Sequence, residues 1–378
     1  MTDVEQLLRD TLTDPRRRLE PGADMFPAVL VAARHRQRTR AFVSAASCAV
    51  LLLVVGGVAV LSHRTAGRTV TPALPGASIM TRIDLGAADF HVGAVIAGRN
   101  SVFVTAETIP SRVLKLNTTT GQVTGSDDSP GSNLGLAIGA NGRDLFAWSG
   151  DGGVRQYDAK TMATVHSVPR ALQGDVMVFE GAVLNGKLWL TTNEGLFVVS
   201  FDGNTARAAA IPGLTNVYAL TADQARHRVL VGAFAGGDGL GTTGIVAVDD
   251  KTHALTRGGA LPFGKESIAV VGNDIWIGGY GDETTSRLVR LDTRTLQPTR
   301  SSSVNATLGP GAVVWAGQHV IWVRAGGSEE LDCVDPTTGD SLQAWDAVQG
   351  PVSSVAGAAY GADSGVLQKL TLTQACEG

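Results

Sequence analysis

The feature that most constrains this chain is a repeat. Short apolar clusters recur as Val102-Phe103-Val104, Leu145-Phe146-Ala147, Leu188-Trp189-Leu190, Leu230-Val231-Gly232, Ile275-Trp276-Ile277 and Ile321-Trp322-Val323. Their central residues stand 43, 43, 42, 45 and 46 positions apart. A second series, Asn117, Asp158, Asp202, Asp249, Asp292 and Asp335, trails the cluster centres by 12 to 18 residues. Each of these ends an alternating segment such as RLVRLD or GIVAVD, and several open a turn such as NTTTG, DTRT or DPTTG. Asx side chains followed by Thr or Gly close tight turns, because their oxygen accepts backbone N–H bonds. A period of this length means that one supersecondary unit is stacked many times, each covering the apolar face of the next.

Four short strands fit in each period, with turn signals between them, which is the pattern of β-propeller blades. Six complete blades run from about Val92 to Ala347. A seventh has three strands, Val352–Gly357, Ala358–Ala362 and Val366–Leu372, and lacks its outer one. The alternating segment Ile79–Leu85 (IMTRIDL) has no other place and supplies it. Completing the last blade with an N-terminal strand closes the ring without an open edge. The expected fold is therefore all-β, a seven-bladed propeller over 79–378, with six or eight blades as the neighbouring counts. Composition agrees: 47 glycines in 378 residues and only 17% charged residues suit a turn-rich β protein rather than a helical or disordered one.

The other strong feature precedes the repeats. Ala41 to Leu61 is an uncharged run of 21 residues. As a helix it would measure about 31 Å, matching a hydrocarbon core of roughly 30 Å. Arg34, Arg36, Arg38 and Arg40 stand just before it, against only Arg64 and Arg68 shortly after. That bias keeps the N-terminus in the cytoplasm and sends the C-terminal mass outside the cell membrane. A cleaved signal peptide is the competing reading, and a start at Met25 would favour it; the run is longer than an ordinary signal core and no good small-x-small site follows. The division expected is a cytoplasmic tail (1–40), a transmembrane helix (41–61), an extended Pro-containing linker (62–78) and an extracytoplasmic propeller (79–378). Within the tail, Val4, Leu7, Leu8 and Leu12 have helical spacing and offer a short amphipathic face to a cytosolic partner or the membrane.

The repeat resembles the seven-bladed YVTN, WD40-like and quinoprotein-like propellers over roughly 79–376, in period and in turns such as VDPTTGDSLQAW (Val334 to Trp345). The whole layout resembles single-pass, sensor-like proteins of high-GC Gram-positive bacteria, some linked to extracytoplasmic-function sigma factors. The tail lacks the His/Cys zinc signature of a common anti-sigma domain.

Chemistry is sparse. Seven histidines are scattered (His35, His63, His91, His166, His227, His253 and His319) and none forms a close pair. No Gly-x-Ser-x-Gly elbow, phosphate-cradling loop or His-Glu-x-x-His is present, and the adjacent-cysteine motif of quinoprotein dehydrogenases is missing. The expectation is no catalytic, cofactor or metal residues. A metal-assisted propeller hydrolase or lyase, with His91, His166 and His319 converging in the channel, is the alternative. Asp238 sits in a Gly-rich stretch (GGDGLGTTG) that is faintly calcium-like and better explained as a hairpin loop. Cys48 falls in the apolar run, whereas Cys333 and Cys376 lie in the exported part, where a disulfide between them would tie blade 7 to blade 6.

Sorting loops by face adds one more expectation. The loops between second and third strands carry Glu107, Asp151, Glu194, Asp238, Asp282 with Glu283, Glu329 with Glu330, and Asp363. They form a candidate acidic recognition face. Arg99, Arg143, Lys160, Lys187, Arg226, Arg228, Lys251 and Arg294 fall on the opposite face, which would then lie toward anionic lipid. A net charge of -4 argues against nucleic acid as partner. The function expected is ligand or protein recognition outside the cell, sensory or scaffolding, with membrane and an unknown ligand as partners.

Overall fold

The computed structural model describes residues 80–377, apart from 86–90, 99, 108–110, 129–130, 132–134, 203–204, 235–242, 262–263, 283–284, 304–311, 326–329, 347, 349, 356 and 364–365. The tail, the Ala41–Leu61 run with its four arginines, and the linker lie outside the described residues. Among the described residues no helix is long and apolar enough to cross a membrane.

Seven four-stranded antiparallel sheets form the blades. Blades 1 to 6 occupy 91–128, 135–168, 178–210, 217–260, 264–303 and 312–345, with strands in chain order from the innermost outward. Blade 7 takes its three inner strands from Val352–Val355, Ala358–Asp363 and Val366–Thr371. Its outermost strand is Met80–Asp84, with Met80 opposite Leu370 and Asp84 opposite Val366. The innermost strands of neighbouring blades touch all the way round, so the ring is closed. Among the described residues, two short elements are not strands: a 3-10 turn at Gln224–Arg226 and a four-residue helix at Gln374–Glu377.

Each blade is sandwiched between two others, so its second strand is covered on both faces. That explains why these strands read as unbroken apolar runs instead of alternating. Leu188, Trp189 and Leu190 are fully buried together. Phe103, Phe146, Trp189, Trp276, Trp322 and Tyr360 place a buried ring on the second strand of blades 1, 2, 3, 5, 6 and 7, where blade 4 has Val231. The outermost strands face water on their free side, as in the exposed Thr205–Ala210.

The Asx turns are built alike. Asn117, Asp158, Asp249, Asp292 and Asp335 each accept backbone N–H bonds from the residues two and three further on, at 2.6–3.2 Å. Each also accepts, at its carbonyl, the N–H of the residue four further on. That fourth residue is left-handed in every case: Gly121, Met162, His253, Leu296 and Gly339. Glycine adopts this conformation freely, while an L side chain there costs roughly 1–2 kcal/mol. Met162 and Leu296 are held there by burial. His253 sets its ring edge-on to Trp189 of blade 3, with centroids 5.8 Å apart.

These turns are also where the blades are fastened. Side chains of one blade donate to carbonyls in the third-to-fourth-strand turn of the next. Lys369 of blade 7 reaches Thr118 O (2.6 Å), and Lys115 of blade 1 reaches Lys160 O. Lys187 of blade 3 reaches Asp250 O (3.1 Å), and Arg228 of blade 4 reaches Thr293 O. Trp276 and Arg290 of blade 5 reach Pro336 O (2.8 Å) and Thr337 O (3.3 Å). Cys333, in the third strand of blade 6, is disulfide-bonded to Cys376 of the terminal helix, with Cα atoms 6.2 Å apart.

The lipid-facing basic surface expected from the sequence is not what these cations form. Lys187 pairs with the buried Asp250 (3.0 Å), and Arg226 and Arg228 both hold the fully buried Asp223 (3.3 and 2.9 Å). Arg143, Lys160, Lys251 and Arg294 are exposed, but Asp158, Asp249, Asp292, Asp335 and Asp340 share that face. The described charges there are mixed.

Candidate functional site

Every innermost strand turns one edge of N–H and C=O groups toward the central channel, with no further strand to pair them. Three of these N–H groups are met from the preceding blade: Leu220 donates to Glu180 Oε2 (2.9 Å), Val314 to Ser267 Oγ (2.7 Å), and Ala97 to Ser353 Oγ (2.9 Å). Near their starts, the innermost strands of blades 1, 3, 4 and 5 also slip register, between Val92 and Val95, Val178 and Glu180, Val217 and Ala219, and Gly264 and Ser267. A bulge of this kind bends the strand and re-aims side chains. In blades 1 and 3 the second strand accommodates it with a buried threonine. Thr105 Oγ1 accepts from Ala94 N–H (2.7 Å) and Thr191 Oγ1 from Glu180 N–H (3.1 Å).

The blade 3 bulge is the chemically distinct one. It leaves Phe179 47% exposed and Glu180 exposed beside it, with Met177 49% exposed in the loop just before. Val313, on the corresponding strand of blade 6, is 39% exposed. Glu180 is reached by water along the channel but surrounded by protein on its other sides. That desolvation pushes its carboxyl up to about 7, against the opposing pull of the Leu220 N–H bond. Sequence reasoning passed over Glu180. The available signal was a carboxylate set in the otherwise apolar run Val176–Leu184.

The acidic residues expected to form a recognition face divide as follows. Glu107, Asp282 and Asp363 end the second strands of blades 1, 5 and 7, and Asp151 and Glu194 are exposed in the following turns of blades 2 and 3. All five therefore sit at the same end of their blades as the channel mouth that carries Phe179. Glu330 is half-buried, while Asp238, Glu283 and Glu329 lie outside the described residues. Neighbouring acids on this face are already engaged: Asp127 with Arg155 (3.7 Å) and Thr164 Oγ1 (2.7 Å), Asp128 with Arg112 (3.9 Å). Among the described residues no three His, Cys, Asp or Glu side chains come together to hold a metal. The histidines proposed to converge do not. His166 is on the outermost strand of blade 2, stacked on Phe201 at 4.9 Å, and His319 is exposed in a turn on the far face of blade 6.

No protein-family model matches this chain, and no curated protein matches it. Its fold is shared with solved propellers. The RRP9 WD40 repeats superpose with a TM-score of 0.60 at 11% identity, over 79% of this chain and 98% of that one. The β-propeller domain of Cps50 (Swd1) from Myceliophteria thermophila gives 0.59 at 11% identity, over 75% and 96%. BamB from Moraxella catarrhalis gives 0.50 at 12%, over 78% and 99%. At such identities the likeness shows the propeller fold and nothing about ligands.

Proposed function

We propose that this chain is a membrane-anchored recognition protein that presents the channel-mouth face of an extracytoplasmic propeller to a protein ligand. One observation carries the reading. Lys187 and Arg228 of the far face are spent in fastening blade to blade and the charges left there are of mixed sign, whereas Met177, Phe179 and Glu180 stand exposed together on the near face. Strand direction supports the orientation, because Met80–Asp84 runs antiparallel to Val366–Thr371 and so enters the ring from the far face. The similar architecture of WD40-repeat structures fits an interaction scaffold, with the tail available to a cytosolic partner.

The test uses the full-length protein in cells. Protease added to intact cells removes the propeller and spares the tail if the anchor reading holds; protection of the C-terminal portion overturns it. A photo-crosslinking residue at Phe179 is expected to capture a partner that the same residue at Lys251, on the far face, does not. Capture from Lys251 alone overturns the choice of face.

A further inference from the structure

We infer that the channel mouth at blade 3 takes a lysine or arginine side chain of the partner, its cationic head against the Glu180 carboxylate and its aliphatic stem against Phe179 and Met177. This deepens the recognition reading and relies on it for the choice of face.

The geometry is a carboxylate fixed at one end and open at the other. Glu180 Oε2 accepts the Leu220 N–H, which pins the side chain across the boundary between blades 3 and 4. Its backbone is fixed as well, since the bulged N–H is held by Thr191 Oγ1 and Gly181 packs against the Trp148 ring of blade 2, where a Cβ would come within 2.7 Å. No cation among the described residues pairs with Glu180. Asp127, Asp223, Asp250 and Asp274 all have an Arg or Lys partner. A carboxylate that is accessible at the channel mouth, held in place at one oxygen and without a cationic partner is ready for a ligand that brings the missing charge, since charge-assisted hydrogen bonds are the strong ones.

The exposed apolar neighbours narrow the class. A small hydrated metal ion would gain nothing from Phe179 and Met177. An ammonium or guanidinium on a methylene stem buries its carbons on both, and a cation close to an aromatic ring is further favoured. The expected recognition element is a single basic residue at a turn or chain end of the partner.

The probe is Nα-acetyl-lysine methylamide, with Nα-acetyl-norleucine methylamide as its uncharged counterpart, titrated calorimetrically into the full-length protein in detergent. The lysine probe is expected to bind with millimolar or better affinity and the norleucine probe at least tenfold more weakly. Glu180→Gln keeps the acceptor for Leu220 and is expected to weaken lysine binding at least tenfold, whereas Asp340→Asn, exposed on the far face, leaves it unchanged. Equal affinity for the two probes, no lysine binding at all, or unchanged binding in Glu180→Gln would overturn the inference. Thermal melts of Glu180→Gln and Glu180→Asp separate lost binding from lost folding. Partner capture at Phe179 alongside unchanged lysine affinity in Glu180→Gln would sink this inference and leave the recognition reading standing.

Discussion

The indole N–H of Trp276 in blade 5 donates to the carbonyl of Pro336 in the turn of blade 6, across 2.8 Å. The two residues are 60 apart in sequence, and their bond is one of a series in which blades 7, 1, 3, 4 and 5 donate into the turn of the blade that follows. Trp276 is itself fully buried, so it both fills the blade interface and closes it.

Trp276→Phe keeps most of the ring and removes the donor. The Pro336 carbonyl is then left short of a partner, which costs about 1–2 kcal/mol, while Trp276→Ala adds a cavity and costs roughly 3–5 kcal/mol. Chemical denaturation of both variants checks the ordering. No loss in Trp276→Phe would mean the hydrogen bond contributes nothing.

The Asx turns predict an acid limb. Asp158, Asp249 and Asp292 have carboxyls held below their usual value of 3.8, each chiefly by the N–H of the threonine three residues on. A carboxyl with a lowered folded pKa contributes stability above its unfolded pKa and loses it as pH falls through the folded one. Replacing all three with Asn, as Asn117 already stands in blade 1, keeps the acceptor and removes the titration. Melting temperature in the triple variant should fall less steeply below pH 4 than in the wild type.

Glu180 behaves in the opposite sense. With a folded pKa about 7 against an ordinary 4.5, the folded protein keeps a proton that the unfolded chain has already released between those values. Stability therefore declines as pH rises through that window. Solvent in the channel screens part of the effect. Glu180→Gln should raise the melting temperature at pH 8 and change it little at pH 4. A uniform shift at both would assign the effect to packing.

Left-handed turn residues give a paired test. Leu296 has φ 56° and is fully buried, and His253 has φ 58° and is half-exposed. Glycine relieves about 1–2 kcal/mol of backbone strain at either position. At Leu296 the lost packing of roughly 2–5 kcal/mol exceeds that gain, so Leu296→Gly destabilises. At His253 the loss is one edge contact with Trp189, so His253→Gly is neutral or stabilising. Urea melts of the two should move apart in midpoint.

Cys376→Ser opens a loop with a sequence separation of 43. Chain-entropy arguments put the loss at about 4 kcal/mol. The helix Gln374–Glu377 should become susceptible to carboxypeptidase while blades 1 to 5 keep their spectrum.

Sequence alone determined the blade count, the borrowed strand Met80–Asp84 and the Asx turns. Those features are local: alternation, apolar runs and turn chemistry act between residues a few positions apart, and repetition restates them from blade to blade. Tertiary structure decided which charges are spent. Lys187 and Arg228 look like surface cations in sequence, yet their carbonyl acceptors lie 63 and 65 residues downstream, on the next blade of the ring. Glu180 is likewise an ordinary strand acid until blade 4 supplies the Leu220 N–H and the neighbouring blades close in around it. Desolvation depends on everything that surrounds a group, and no window of sequence contains that.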